Sequence, residues 1–318
     1  MSETGIWDRY WHYDRIASCF DGAGATNYDA CVAEGWRDFF GGLPAGARIL
    51  DLCTGNGAAA LIAAEVGRFE IHAVDQAAID PPAFVTRHVR EMAAIRFVPG
   101  TNVEALPFPD GRFDAVISQY GIEYSDLARS VPEAVRVAAP GGRLRFVVHA
   151  ADGEVAAGAR IVIAEAELLL GAIDLPGCAA RCFEALWPVE REGDEAAKPR
   201  ADAAFAAFQD ALAQAARRIP GARDPTMFRN SGAVLLDTFR RRGHFDLDQL
   251  LAKPAAIEAE IRAHRGRLAA LVEAALTADE AEALAGRLRQ AGAGAARSSP
   301  LRNGAELIGH IVEASFGN

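Results

Sequence analysis

The sequence predicts an α/β chain: a mostly parallel sheet covered by helices on both faces, ending in an antiparallel hairpin and interrupted by a long helical insertion. Three observations carry this expectation. From about residue 48 to residue 150, short apolar runs alternate with alanine-rich helical stretches. Over residues 154–292 the alternation stops, and Ala, Leu, Glu and Arg dominate with little strand character. It then returns in "ARSSPLR" and "AELIGHIVEASF", which flank Asn303-Gly304, a strong hairpin signal.

Each element follows from local chemistry. Residues 5–41 place Trp7, Tyr10, Trp11, Phe20, Tyr28, Trp36, Phe39 and Phe40 at helical spacing, with Asp21–Gly24 splitting them into two helices. The loop "GGLPAGA" leads into a first strand "RILDL", followed by "IHAVD", "IRFVPG", "FDAVIS" and "RLRFVVHA"; "APGG" (Ala139–Gly142) reads as the turn into the last of these. In the helical part, breaks are expected at Leu175–Gly177, at 190–200 and at 218–225. Asp224-Pro225 has the form of a cap followed by a first-turn proline, and Thr277–Glu280 that of a capping box. The expected organisation is an N-terminal helical segment at 1–41, a core at 42–150, a helical insertion at 151–277, and a last helix and hairpin at 278–318 that complete the sheet.

Charge and composition exclude some functions. With 33 Lys and Arg against 43 Asp and Glu, the net charge of −10 lacks the cationic footprint that nucleic acid requires. No uncharged apolar run reaches membrane-spanning length, and residues 1–20 hold no apolar core of signal-peptide type, so a cytoplasmic protein is expected. The five cysteines are scattered, as reduced thiols would be. Cys178 and Cys182 share a helix face, but two ligands fall short of the usual four for structural zinc; buried free thiols and no metal are expected.

The chemistry concentrates in "RILDLCTGNGAAAL". In a doubly wound sheet, ligands bind beyond the carboxyl ends of the strands, and the turn after the first strand is such a place. Gly55 and Gly57 let the backbone approach a ligand, and "GNGAA" also comes close to a dinucleotide fingerprint. The surroundings decide between ligands. Asp51 ends the strand, and no Lys or Arg occurs from Ile49 to Gly67, so a pyrophosphate would meet a carboxylate and no cation. Asp75 closes the second strand, where an acid accepts hydrogen bonds from ribose hydroxyls. The implied ligand has a ribose and a cationic part but no phosphates.

These motifs resemble the class I S-adenosylmethionine-dependent methyltransferases, and "YDRIASCFD" upstream is similar to the N-terminal helix of their ubiquinone and menaquinone branch. "ILDLCTGNG" resembles the first motif, "AVDQ" the second, "TNVEALPFPDGRFDAV" the stretch that bounds the adenine, "SQYGIEY" the segment after strand four, and "APGGRLRFV" the entry to strand five. The resemblance covers about residues 10–150 and the last forty residues. It implies a Rossmann-like, seven-stranded sheet with S-adenosylmethionine as cofactor and S-adenosylhomocysteine as product. By resemblance, Asp51, Cys53, Thr54, Gly55, Asn56 and Gly57 hold the methionine part, Asp75 the ribose and Gln76 the adenine edge, with Asn102, Val103, Ser118 and Tyr120 completing the cofactor site. Cys53 replaces the family's first loop glycine, Asn102 its usual acid near the adenine amino group, and the helical insertion lies outside the minimal fold.

Methyl transfer needs an acceptor held in line and, for some acceptors, a base. Glu123 and Tyr124 follow strand four and His149 ends strand five; His149 is slightly favoured as base over Glu123. The aromatic N-terminus is either a lid, with Tyr10, Trp11, Phe20 and Tyr28 as contacts, or two helices packed on the sheet. His244, in the basic "FRRRGHFD", is a candidate for an acidic substrate group, against the default of a solvated helix end. The insertion is a cap or a homodimer element. The function expected is methylation of a small, partly apolar metabolite, with oxygen favoured. The alternatives are a non-catalytic cofactor-binding regulator or scaffold and, less favoured, a nicotinamide-dependent dehydrogenase.

Overall fold

The computed structural model describes residues 7–8, 10–17, 27 and 30–317; Phe20 and Tyr28, expected lid contacts, lie outside the described residues, as does Cys19. Two compact units result, one formed by residues 1–157 and 270–318 and the other by Gly158–Ala269.

The first unit is built on a seven-stranded sheet of order β3-β2-β1-β4-β5-β7-β6. Its strands are β1 (Arg48–Leu52), β2 (Glu70–Val74), β3 (Ile95–Val98), β4 (Phe113–Gln119), β5 (Ala138–Val148), β6 (Ala295–Asn303) and β7 (Glu306–Ser315). The first five run parallel, and β7 pairs antiparallel with both β5 and β6. The expected Rossmann-like sheet with an antiparallel hairpin is therefore present. Strand order reverses between β1 and β4, so the first turn and the segment after β4 open at one crevice.

Side chains alternate across the sheet. Ile49, Ile71, Ala115, Ile117 and Val147 pack with Trp36, Phe39 and Phe40 of α1 (Ala30–Gly41) and Ala59–Ala63 of α2 (Ala58–Val66). The short helices α3 (Pro81–Phe84) and α4 (Val89–Met92) follow β2. On the opposite face Leu50, Leu52, Val116, Leu144, Phe146 and Val148 meet Val131 and Ala134 of α5 (Leu127–Val137) and Leu284 and Leu288 of α11 (Ala278–Gln290). Burial on both faces explains why these strands read as continuous apolar runs.

The second unit is helical. Its segments belong to α6 (Glu154–Leu170), α7 (Leu175–Glu192), α8 (Lys198–Arg218), α9 (Pro225–Arg240) and α10 (Leu247–Ala274). They pack around Leu169, Leu175, Phe183, Phe208, Phe228 and Leu235. Cys178 and Cys182 are buried free thiols in this core, and burial pushes the Cys182 thiol up to about 11.

Three local readings need correction. "APGG" is not a turn before β5 but lies inside it: the pairing with β4 shifts between Phe113 and Ala115, and Gly141 has φ +74°, so the Pro-Gly-Gly stretch is a bulge. The break expected at Leu175–Gly177 falls at 171–174 instead, and Leu175–Gly177 open α7, because proline is tolerated in a first turn and Asp174 occupies the cap position. The hairpin turn is Gly304-Ala305, not Asn303-Gly304; Asn303 pairs with Glu306, after a register shift between Leu301 and Arg302. The expected caps form: Asp224 accepts from the amides of Thr226 and Met227, and Thr277 with Glu280 makes a complete capping box.

Candidate functional site

β1 delivers Asp51 to the crevice and then turns sharply. Cys53, Gly55 and Gly57 all take left-handed φ values of +54°, +53° and +83°. Cys53, which has a side chain, holds this left-handed backbone at a conformational cost of about 1 kcal/mol. A Cβ on Gly55 would run into the Trp11 indole, so only glycine fits beneath that ring. Thr54 donates its hydroxyl to Asp51 Oδ2 at 2.6 Å and its amide to Val74 at 3.0 Å, fixing the loop to β1 and β2.

Asp51 is buried, and its other oxygen, Oδ1, has no hydrogen-bond partner among the described residues. Burial, above all, pushes its carboxyl up to about 7, with nearby Asp75 adding to the shift. Asp75 follows β2, where Oδ2 accepts from the Gly55 amide at 2.8 Å and Oδ1 from the Ala77 amide at 2.9 Å. Burial raises its carboxyl too, helped by Asp8 and opposed by those amides. The Cys53 thiol, between them, lies well above its ordinary value through burial and then through Asp75, Glu123 and Asp51. The charged groups acting on Asp51, Cys53 and Asp75 are all carboxylates.

After β4, Ser118 donates to the Leu52 carbonyl and accepts from the Ile122 amide, both at 3.0 Å, so it ties β1 to the following 3-10 turn (Ile122–Tyr124). That turn supplies Glu123, whose Oε1 accepts from the His149 amide at 2.9 Å and lies 2.8 Å from His149 Nδ1. Both side chains are almost fully buried, and Glu123 Oε2 has no partner among the described residues. The two candidate bases are therefore one unit. Tyr120 stacks on the His149 imidazole with ring centroids 4.2 Å apart, and Tyr124 meets it edge-on at 6.1 Å.

Residues 7–8 and 10–17 close over this region. Asn56 Nδ2 donates to the carbonyls of Trp11 (3.1 Å), Tyr13 (3.3 Å) and Arg15 (2.8 Å). Asp8 accepts from the Ala78 amide, and Asp14 from the Thr86 amide and hydroxyl. Trp7 stacks with Trp11, and it meets Tyr10 and Tyr124 edge-on.

The candidate residues thus fall into groups. Asp51, Cys53, Thr54, Gly55, Gly57 and Asp75 build the first loop and its acidic wall; Glu123, Tyr124 and His149 stand together, with Tyr120 against the imidazole. Tyr10 and Trp11 lie on the same loop cover. Asn56 serves as the tether of that cover. Val103 is buried in the core, while Gln76 and Asn102 are exposed, and Asn102 Oδ1 accepts from the Glu104 amide at 2.8 Å. His244 is exposed and belongs to the helical unit. Motif reading found the loop and both acids but missed the Tyr120 stack and the Asn56 tether. A tyrosine at the end of a strand and an asparagine in a glycine loop have many uses, and only the fold selects among them.

The residues fit a cationic nucleoside. An orphaned, buried carboxylate oxygen on Asp51 beside a glycine loop, with further carboxylates and no cation among the charges acting on it, favours positive charge and opposes phosphate.

Residues 49–142 match a family model described as a methyltransferase domain. The chain is 41% identical over 101 residues to a demethylmenaquinone methyltransferase of Thermus thermophilus, covering 30% of this chain and 44% of that one. It is 40% identical over 100 residues to the ubiquinone/menaquinone biosynthesis C-methyltransferase UbiE of Methylobacterium nodulans, covering 30% and 39%. This chain thus spans less than half the length of either curated relative. Among solved structures, geranyl diphosphate C-methyltransferase from Streptomyces coelicolor A3(2) covers 47% of this chain and 66% of its own, with 17% identity and a TM-score of 0.36.

Proposed function

We propose that this chain, whose core carries a class I S-adenosylmethionine-dependent methyltransferase domain of the ubiquinone/menaquinone-like branch, methylates a small, partly apolar acceptor at an acidic hydroxyl such as a phenol or enol. S-adenosylmethionine, when bound, supplies a methyl already activated by a sulfonium. Asp51 and Asp75 bind the cofactor, Asp51 through its charge and Asp75 by turning from the Gly55 and Ala77 amides toward the ribose hydroxyls. The loop over Gly55 and Gly57 lets the backbone close on the ligand. The aromatic cover of Trp7, Tyr10 and Trp11 excludes water and presents an apolar wall to the acceptor.

The observation that carries this reading is the buried His149–Glu123 pair at the carboxyl ends of β4 and β5. Glu123 is acceptor-only when ionised, so it selects the tautomer with the proton on Nδ1 and assigns proton transfer to Nε2. His149 would take the acceptor's hydroxyl proton as the oxygen's electron pair bonds the methyl carbon, the methyl–sulfur bond breaking with its pair left on S-adenosylhomocysteine, and Glu123 would stabilise the imidazolium. The test is transfer of labelled methyl from S-adenosylmethionine to a panel of phenols, hydroquinones, enols and amines. Phenols and hydroquinones should be methylated, and His149→Gln should lower the rate by about 10²–10⁴ with cofactor affinity kept. An unaffected His149→Gln rate contradicts the assigned base, and a methyl located on ring carbon moves the acceptor atom from oxygen to carbon.

A further inference from the structure

We propose that Arg15 receives the carboxylate at the methionine end of the cofactor, a contact that the loop motifs do not supply. The inference rests on the reading of S-adenosylmethionine as the ligand of the crevice. That ligand is cationic at its sulfonium but ends in an amino acid, whose carboxylate is repelled by the acids around the first loop. The charged groups acting on Asp51, Cys53 and Asp75 are all carboxylates, and no Lys or Arg occurs from Ile49 to Gly67. A cation for the ligand's carboxylate has to come from another segment.

Arg15 belongs to the cover and is tied to this loop, since Asn56 Nδ2 donates to the Arg15 carbonyl at 2.8 Å. Its guanidinium carbon lies over the Tyr10 ring, 4.1 Å from the centroid, and 5.7 Å from that of Tyr13. The ring faces attract the charge and leave the N–H donors to other partners. One of those donors, Nε, is buried without a hydrogen-bond partner, and Arg15 makes no ion pair among the described residues. The acids of the same segment are engaged elsewhere. Asp14 accepts from Thr86 and lies 3.5 Å from Arg87, and Asp8 accepts from the Ala78 amide. Nε and the Nη beside it form the edge of a guanidinium that grips a carboxylate through two parallel bonds. A buried donor left unpaired is costly, so this open edge on a half-buried cation, one hydrogen bond from the glycine loop, is matched to an anion. The acids then serve the positive groups of the ligand and Arg15 its negative one.

The experiment removes the carboxylate from the ligand and the guanidinium from the protein in turn. S-adenosylmethionine and decarboxylated S-adenosylmethionine, which keeps the sulfonium and the ammonium, are titrated calorimetrically into the full chain and into Arg15→Met, whose side chain can still lie on the Tyr10 ring. Wild type should bind the carboxylate-bearing ligand more tightly by about tenfold or more. Arg15→Met should narrow that preference to about twofold, with affinity for the decarboxylated ligand within about threefold of wild type. If Arg15→Met does not fold, Arg15→Lys reads the same ratio, because it keeps the charge and loses the two-bond edge; its preference should fall between the other two. An Arg15→Met chain with the full preference overturns the proposal. So does an equal loss of affinity for both ligands, which would make Arg15 a support of the cover. Failure of the cofactor reading is separate: wild type would bind neither ligand, and this proposal would fall with it.

Discussion

At the tip of β1, Asp51 accepts from the Thr54 hydroxyl on one oxygen and has no hydrogen-bond partner among the described residues on the other. The folded chain holds its proton up to about pH 7, whereas the unfolded chain releases it near 3.8. Between those values the folded state binds more protons, so stability falls as pH rises, by a total on the order of a few kcal/mol. Asp51→Asn should therefore raise the melting temperature of the ligand-free protein at pH 8, flatten its dependence between pH 4 and 7, and weaken S-adenosylmethionine binding. Melting curves across pH with calorimetric titrations check all three, and an unchanged pH profile would mean that Asp51 is not the titrating group. Asp75→Ala should cost about 1–3 kcal/mol of cofactor affinity, read by the same titration. Both acids were legible in the sequence because a carboxylate at a strand end beside glycines is a local pattern. Cys53 was legible only as a departure from glycine; its φ of +54° is a conformation that residues with a Cβ rarely adopt, and it exists only once the loop is folded. Asn102 was read as a weaker acceptor for the adenine, whereas its oxygen accepts from the Glu104 amide two residues on, a use that short polar side chains commonly find in turns.

Among the elements, residues 7–8 and 10–17 are tied to the first loop through Asn56. Asn56→Ala removes the donor shared by three carbonyls and should destabilise the protein by about 1–3 kcal/mol, with faster protease cleavage near Trp11 and little change in the rest of the core. Limited proteolysis followed by mass spectrometry reads this; wild-type resistance would place the hold in the Asp8 and Asp14 contacts instead. At the other end of the chain, Thr277→Ala breaks the capping box of α11 and should cost about 1 kcal/mol, measured by urea unfolding. That cap, the Asp224 cap and the strand alternation were all readable, because each is set within a few residues. The hairpin slipped by one position and "APGG" joined β5 because register comes from pairing partners distant in sequence. The pairing of Glu123 with His149 lay beyond the sequence for the same reason: both were candidates, but their contact spans 26 residues and exists only once β4 and β5 are adjacent.

For the whole molecule, the connections into and out of the helical unit close on one another within the sheet unit. The Leu276 amide donates to the His149 carbonyl, and the Ala151 amide donates to the Leu276 carbonyl, each at 2.8 Å. Ends held this close let a domain be excised with a short linker. A chain with a short Gly-Ser linker in place of residues 154–274 should fold cooperatively with its sheet intact and bind S-adenosylhomocysteine, as judged by circular dichroism, melting and titration. The composition shift near residue 154 made the helical stretch visible, since a run of Ala, Leu, Glu and Arg with little strand character departs from the preceding strand–helix rhythm. The central claim concerns charge: a crevice walled by Asp51, Asp75 and Glu123 selects a cationic adenosyl ligand over a diphosphate. Calorimetric titration of the wild-type chain with S-adenosylmethionine and with NAD at pH 8 tests it most directly. The account predicts binding of S-adenosylmethionine, weakened in Asp51→Asn, and no binding of NAD; NAD binding without S-adenosylmethionine binding would contradict it.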